Sequence, residues 1–259
     1  MWRSLRYLTT GLIAVGVACV LAGSAPAQEI AQTYEFQPKD DAAFEAALEK
    51  HAEDRMEEGD PWTWNVWEEI AGPNTGTYIV RSGGHSWGDF DTYNENFGGE
   101  AALHFEADVT STIETTHSWI GRFDTALSRP PNDGDRVRFA EVVTYHIEPG
   151  KQAQFDDAVE QIHSAIVAAD WPARYSFVDP MMGKKGPQKV GAFFFEDFAD
   201  MQEPETPFME MMGSEMGEEK AEKILEQMSS AIRSTETQLF VYRPELSVEP
   251  AEEMGGDGR

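Results

Sequence analysis

The chain is nearly free of cysteine: its one example, Cys19, lies in an apolar N-terminal run. With that run removed, no disulfide, thiolate nucleophile or iron–sulfur site can be built. An exported protein without disulfides depends on core burial for its stability. Cations are also scarce, with 20 Lys and Arg against 47 Asp and Glu, a formal net charge of −27. Such an excess repels phosphate backbones and anionic lipid, which excludes nucleic acid as a partner and leaves an acidic, solvated surface. The six histidines show neither H-E-x-x-H nor H-x-H spacing, so no metal site is predicted. Beyond Leu8–Ala22 there is no long apolar run, and that one is short for a membrane span.

The N-terminus instead reads as a signal peptide over residues 1–27. Arg3 and Arg6 form a basic start, Leu8–Ala22 the apolar stretch, and Ala25-Pro26-Ala27 the small residues before a cleavage point at Gln28. Its removal takes away two arginines and no acid, so the net charge becomes −29. The expected location is periplasmic or secreted, with no membrane contact after cleavage. Cys19 as a lipoprotein cysteine is the competing reading, but Gly16-Val17-Ala18 lacks the usual leucine.

What the chain does contain is a long internal repeat. Thr33, Tyr34, Pro38, Ala42, Phe44, Ala47 and Glu49 match Thr144, Tyr145, Pro149, Ala153, Phe155, Ala158 and Glu160 at one offset without a gap. The register persists to Pro61 with Pro172 and Gly72 with Gly183. It then slips, and Trp87-Gly88-Asp89-Phe90 aligns with Phe195-Glu196-Asp197-Phe198. A period this long is a duplicated domain, not a solenoid of short repeats. Residues 28–127 form the first half, 128–135 a turn-rich linker, 136–246 the second half and 247–259 a disordered acidic tail.

Each half shows the same order. Thr33–Gln37 is an apolar strand, Asp40–Glu58 an amphipathic helix, Trp62–Ile70 a strand, and Thr77–Arg81 a strand continuing to Phe90. A less regular helix then covers Ala101–Val109, and His117–Phe123 closes the half as a strand. In the second half the strands are Phe139–Ile147, Arg174–Val178, Val190–Phe198 and Gln238–Arg243. Its helices are Gln152–Ala169 and Pro207–Ser234, the latter broken near Gly213 and Gly217. This is β-α-β-β-α-β twice, the ferredoxin-like order. The fold class is therefore α+β, with two tandem ferredoxin-like repeats forming a pseudo-symmetric α/β barrel.

A strand ending in Pro149-Gly150-Lys151, followed by a helix anchored on Phe155, resembles the dimeric α/β-barrel superfamily. That group includes antibiotic-biosynthesis-type monooxygenases, the NIPSNAP group and chlorite-dismutase-like haem proteins. The first half departs from the pattern, with Lys39-Asp40 in place of Gly150-Lys151. The resemblance implies a pocket between sheet and helices, admits a monooxygenase-type or haem-dependent enzyme, and is compatible with a homodimer. It does not fix one chemistry. The residues themselves predict no cofactor; haem is the alternative.

Several short patterns invite chemistry. Gly84-His85-Ser86-Trp87-Gly88 matches the G-x-S-x-G nucleophile elbow. Against it, Asp89–Tyr93 is a poor helix start, and no histidine follows His163 in the chain. His51, His85, His117, His146 and His163 are each read as partly buried histidines before any of them is read as a base or haem ligand. Met209, Met212 and Met216 share a helical face, which suits core packing better than copper(I). Asn132–Asp135 lacks the oxygen ligands calcium needs.

Tryptophans crowd the first half, and Gly83-Gly84 remove side-chain volume where the second half has Phe193-Phe194-Phe195. The expectation is that the first half carries a pocket for a small apolar or aromatic ligand, formed by Trp64, Gly84, His85, Trp87, His117 and Trp119. The second half is then scaffold. No catalytic residue is assigned, and a protein-interaction subunit is the third reading.

Overall fold

A computed structural model describes residues 29–132 and 134–249. The expected signal peptide and the last ten residues of the expected tail lie outside them. Two copies of one unit account for the rest. The first has strands β1 (Ile30–Pro38), β2 (Asn65–Ala71), β3 (Tyr78–His85) and β4 (Ile113–Phe123). Helix α1 (Asp41–Glu57) follows β1, and α2 (Trp87–Tyr93) and α3 (Gly99–His104) fill the β3–β4 crossover. The second unit has β5 (Phe139–Ile147), α4 (Gln152–Ala168), β6 (Tyr175–Met182), β7 (Gln188–Phe195), α5 (Phe208–Met216), α6 (Glu218–Ala231) and β8 (Ile232–Tyr242).

All strand pairs are antiparallel, and the eight close into a barrel in the order β1-β3-β2-β8-β5-β7-β6-β4. The halves meet at two seams, β2 with β8 and β4 with β6. Closure leaves no fully open sheet edge, which disposes of the liability a single ferredoxin-like sheet carries. Alternation along the strands sorts the side chains. Tyr34 and Phe36 pack outward with Phe44 and Leu48 of α1. Trp119, Phe123, Val142, Val178 and Val190 meet inside the barrel. The repeat is visible in this packing, since Phe155 of α4 is fully buried against the second sheet as Phe44 is against the first.

Local rules set most element ends. The Asp40 side chain accepts from Ala43 N at 2.9 Å and caps α1. Gly217, at φ +88°, separates α5 from α6. Three expectations need correction. The strand expected to reach Phe90 stops at His85, because Ser86 and Asp89 form a reciprocal capping box that starts α2 at Trp87. The helix expected to reach Ser234 ends at Ala231, where Ile232 begins β8. The tail is also ordered at its start: the Ser247 hydroxyl accepts from Val66 N, and Val248 pairs with Trp64. Among the described residues no helix is long and apolar enough to cross a membrane.

Candidate ligand-binding site

The large cavity lies in the second half, between the outer face of its sheet and its helices, with a volume of about 1210 Å³. The sheet contributes Val143 and Tyr145 of β5, Tyr175 and Phe177 of β6, and Phe193 of β7. Helix α4 contributes Val159, Ile162, His163 and Ile166; Phe208 and Met228 come from α5 and α6. Irregular chain around 134–137, 171–174 and 196–205 forms the mouth.

Few polar groups interrupt this apolar wall. His163 Nδ1 and Tyr175 Oη lie 2.8 Å apart. Burial lowers the imidazole pKa and raises the Tyr175 phenol to about 12. Burial, with some help from the Glu141 charge, raises Tyr145 to about 12 as well. At neutral pH the wall thus presents a neutral imidazole and two intact phenols. At the mouth, Arg136 lies 3.9 Å from Glu196 and Arg174 3.8 Å from Asp135. Glu141, Glu203 and Glu205 add negative charge without a paired cation among the described residues.

The six residues expected to form a first-half pocket do not line this cavity. Four of them gather on the outer face of the first sheet. Trp64 is buried, with the Arg55 guanidinium 4.8 Å above its ring. His85 stacks on Trp62 at 3.7 Å, Trp87 touches Phe90 and stays 40% exposed, and Gly84 (φ +85°) ends β3 facing open space. The other two sit on β4 with the opposite facing. Trp119 points into the barrel and donates to Glu35 Oε1 at 2.8 Å, while His117, opposite Glu35 in the ladder, is exposed.

The location of the large cavity is therefore a correction, and its cause is volume. Trp62 is clamped between His85 and Tyr93, 3.7 and 4.0 Å away, and fills the first half. Its repeat partner in the second half is Ala173, which lines the cavity instead of plugging it. Helix α2 lays Phe90 and Tyr93 over the first sheet, whereas irregular chain at 196–205 occupies the matching place in the second. Nor does Gly83 leave space, since a Cβ there would meet the Phe123 ring at 2.8 Å.

The elbow motif has strand, serine and helix in sequence, so the objection from helix start falls. Ser86 Oγ is nevertheless engaged as the cap of α2, accepting from Asp89 N. His85 Nε2 lies 2.7 Å from Ser82 Oγ, and Ser82 is 1% exposed, out of reach of a substrate. Met212 is fully buried and Met209 is 44% exposed, so these sulfurs do not converge. Among the described residues no three His, Cys, Asp or Glu cluster as metal ligands.

No family model matches the sequence, and no curated protein matches it. Solved structures do match in fold. A proposed monooxygenase of Lactobacillus acidophilus superposes with a TM-score of 0.57 at 8% identity, covering 85% of this chain and 96% of its own. An anthrone oxidase-like protein gives 0.52 at 8% identity, with 90% and 98% covered. Chlorite dismutase from Candidatus Nitrospira defluvii, in complex with imidazole, gives 0.52 at 8% identity, with 85% and 93% covered. Together with the closed eight-stranded barrel, these likenesses define the chain as a tandem dimeric α/β barrel.

Proposed function

We propose that the protein is an exported binding protein for a flat, largely apolar aromatic molecule, held between the sheet and helices of its second half. The observation that carries this reading is the cavity of about 1210 Å³, walled by aliphatic and aromatic side chains with sparse polar groups. Export rests on the N-terminal pattern of Arg3, Arg6 and Ala25–Ala27. Tyr145, Tyr175 and His163 orient the ligand through hydrogen bonds, and the apolar wall supplies the affinity.

Ala173→Trp tests the site, because the first half accommodates tryptophan at the repeat position. The probe is N-phenyl-1-naphthylamine, whose emission rises in an apolar cavity. The native protein binds it saturably, and Ala173→Trp loses that binding while keeping the native circular dichroism. Equal binding by a folded Ala173→Trp protein places the ligand elsewhere.

A second reading, a haem-dependent enzyme of the monooxygenase or dismutase type, is favoured by one observation. His163 is the single imidazole in the cavity wall, and its Nδ1 is held by Tyr175, as ligating imidazoles are held by a second partner. The residues fit: His163 would supply the axial nitrogen, with Arg136 and Arg174 the cations nearest the mouth for acidic substituents. Bound iron would add one-electron and oxygen chemistry. Adding haem should give a Soret band that shifts in His163→Ala. No band, with naphthylamine binding intact, leaves the first reading alone.

A further inference from the structure

A polar row crosses the inner face of the first sheet. Thr33 of β1 stands opposite Arg81 of β3, and Arg81 stands opposite Asn65 of β2. The rings of Phe123 and Trp119 flank the guanidinium, with centroids 4.6 and 5.7 Å from its carbon. Arg81 Nε and Nη2 and Thr33 Oγ1 are closed to solvent, and no acceptor or donor of the described residues reaches them. Asn65 Oδ1 already accepts from Tyr242, at 3.3 Å, which leaves the amide hydrogens to complete a row of donors.

The row is unusual within this molecule. Other buried cations each have carboxylates: Lys189 meets Asp124, Asp156 and Asp179, Arg55 meets Asp60, and Arg243 meets Glu45 and Glu68. The chain carries 47 acids, yet none faces Arg81. Burial alone lowers its pKa, to about 10, so the guanidinium stays charged at neutral pH. A buried charge without a counter-charge is costly, and an anion is its natural complement. Size is limited as well. Inside the same part of the barrel a Cβ on Gly83 would meet Phe123 at 2.8 Å, and one on Gly121 would meet Val178 at 2.6 Å. Phosphate, sulfate and organic carboxylates are too large for such close packing, and a divalent ion would overcompensate one cation.

We propose that the Thr33–Arg81–Asn65 row binds a small monovalent anion of halide or nitrate size inside the barrel. The test uses the purified protein and follows thermal unfolding in sodium chloride and in sodium gluconate at one ionic strength, so that screening of the acidic surface is equal in both. The native protein should melt several degrees higher in chloride, and the gain should saturate with chloride concentration. Arg81→Gln should abolish the gain, whereas Arg122→Gln, at an exposed arginine paired with Asp179, should keep it. If Arg81→Gln does not fold, Thr33→Val carries the test and should reduce the gain. Crystals grown in bromide should show an anomalous peak at the guanidinium. Equal melting in the two salts, a chloride gain that survives Arg81→Gln or Thr33→Val, or a bromide map with water only at Arg81 overturns the proposal.

Discussion

His163 Nδ1 and Tyr175 Oη, 2.8 Å apart, tie α4 to β6 across the wall of the second-half cavity. The bond fixes the imidazole ring and leaves its other nitrogen to serve a ligand. Tyr175→Phe keeps the ring that packs on Phe177 and Phe193 but removes the hydroxyl. The loss of one part-buried hydrogen bond should cost about 1 kcal/mol of stability. Ligand binding should respond selectively. By fluorescence titration, 2-naphthol should bind roughly tenfold more weakly to the variant, one hydrogen bond's worth, and naphthalene about equally to both. An equal loss for both probes would show that the hydroxyl shapes the cavity instead of orienting the ligand.

Lys189 is the structural counterpart of Arg81, a buried cation fully supplied with charge. Its Nζ lies 2.8 Å from Asp124, 3.0 Å from Asp156 and 3.2 Å from Asp179, so one side chain of β7 ties together the start of the linker, α4 and β6. Replacing it with methionine keeps the stem and strands three carboxylates together. The three aspartates retain some solvent contact, which moderates the penalty, and the expected loss is about 3 kcal/mol by urea unfolding. A loss well under about 1 kcal/mol would mean that water already solvates these carboxylates as well as the lysine does.

His51 predicts how stability depends on pH. It is buried on α1, its Nε2 accepts from Arg55 Nε at 2.8 Å, and burial first and the Arg55 charge second push its pKa down to about 4. The folded value is below the unfolded one of about 6.5, so the unfolded chain takes up the proton first. Stability is therefore complete above about pH 6.5 and falls as the pH drops toward 4, by about 2–3 kcal/mol from this residue. Burial lowers His85 and His163 in the same direction. His51→Gln keeps an acceptor for Arg55 and cannot titrate. Denaturant curves at about pH 7.5 and 5 should show a smaller difference for the variant than for the native protein. An unchanged difference assigns the acid sensitivity to other groups.

The barrel was legible because duplication repeats its turn and core positions. Phe44 with Phe155, and Pro38 with Pro149, specify two like units, and a bare sheet face needs a partner. The second-half cavity was hidden by composition. Tryptophans suggested a pocket wall, but Trp62, Trp64 and Tyr93 stack on one another and fill the space they were expected to surround. Phe193, Phe194 and Phe195 suggested a filled core, although adjacent strand residues face opposite sides of a sheet and only part of the run bears on one space. The usable signal was a substitution within the repeat, Ala173 where the first half has Trp62. Its meaning also depends on the chain at 196–205 remaining irregular, and that no periodicity announces.

The repeated glycines at Gly72 and Gly183 support a last prediction. Gly183 follows β6 with φ +87°, and a Cβ there would collide with the backbone of Ser118 and with Trp119 Cα, at 2.8 Å from the latter. Those residues belong to β4, so the collision falls at the β4–β6 seam where the halves close on each other. Gly150 has nearly the same conformation, φ +85°, but open space around its Cβ position. The two alanine variants therefore separate backbone strain from steric conflict. Gly150→Ala should cost only the left-handed penalty, about 1–2 kcal/mol. Gly183→Ala should cost that and about 2 kcal/mol more, because neither contact is the flexible end of a side chain. Urea unfolding of both variants decides the matter: if Gly183→Ala falls within experimental error of Gly150→Ala, β4 yields at the seam, and close approach of backbone is not what keeps a glycine there.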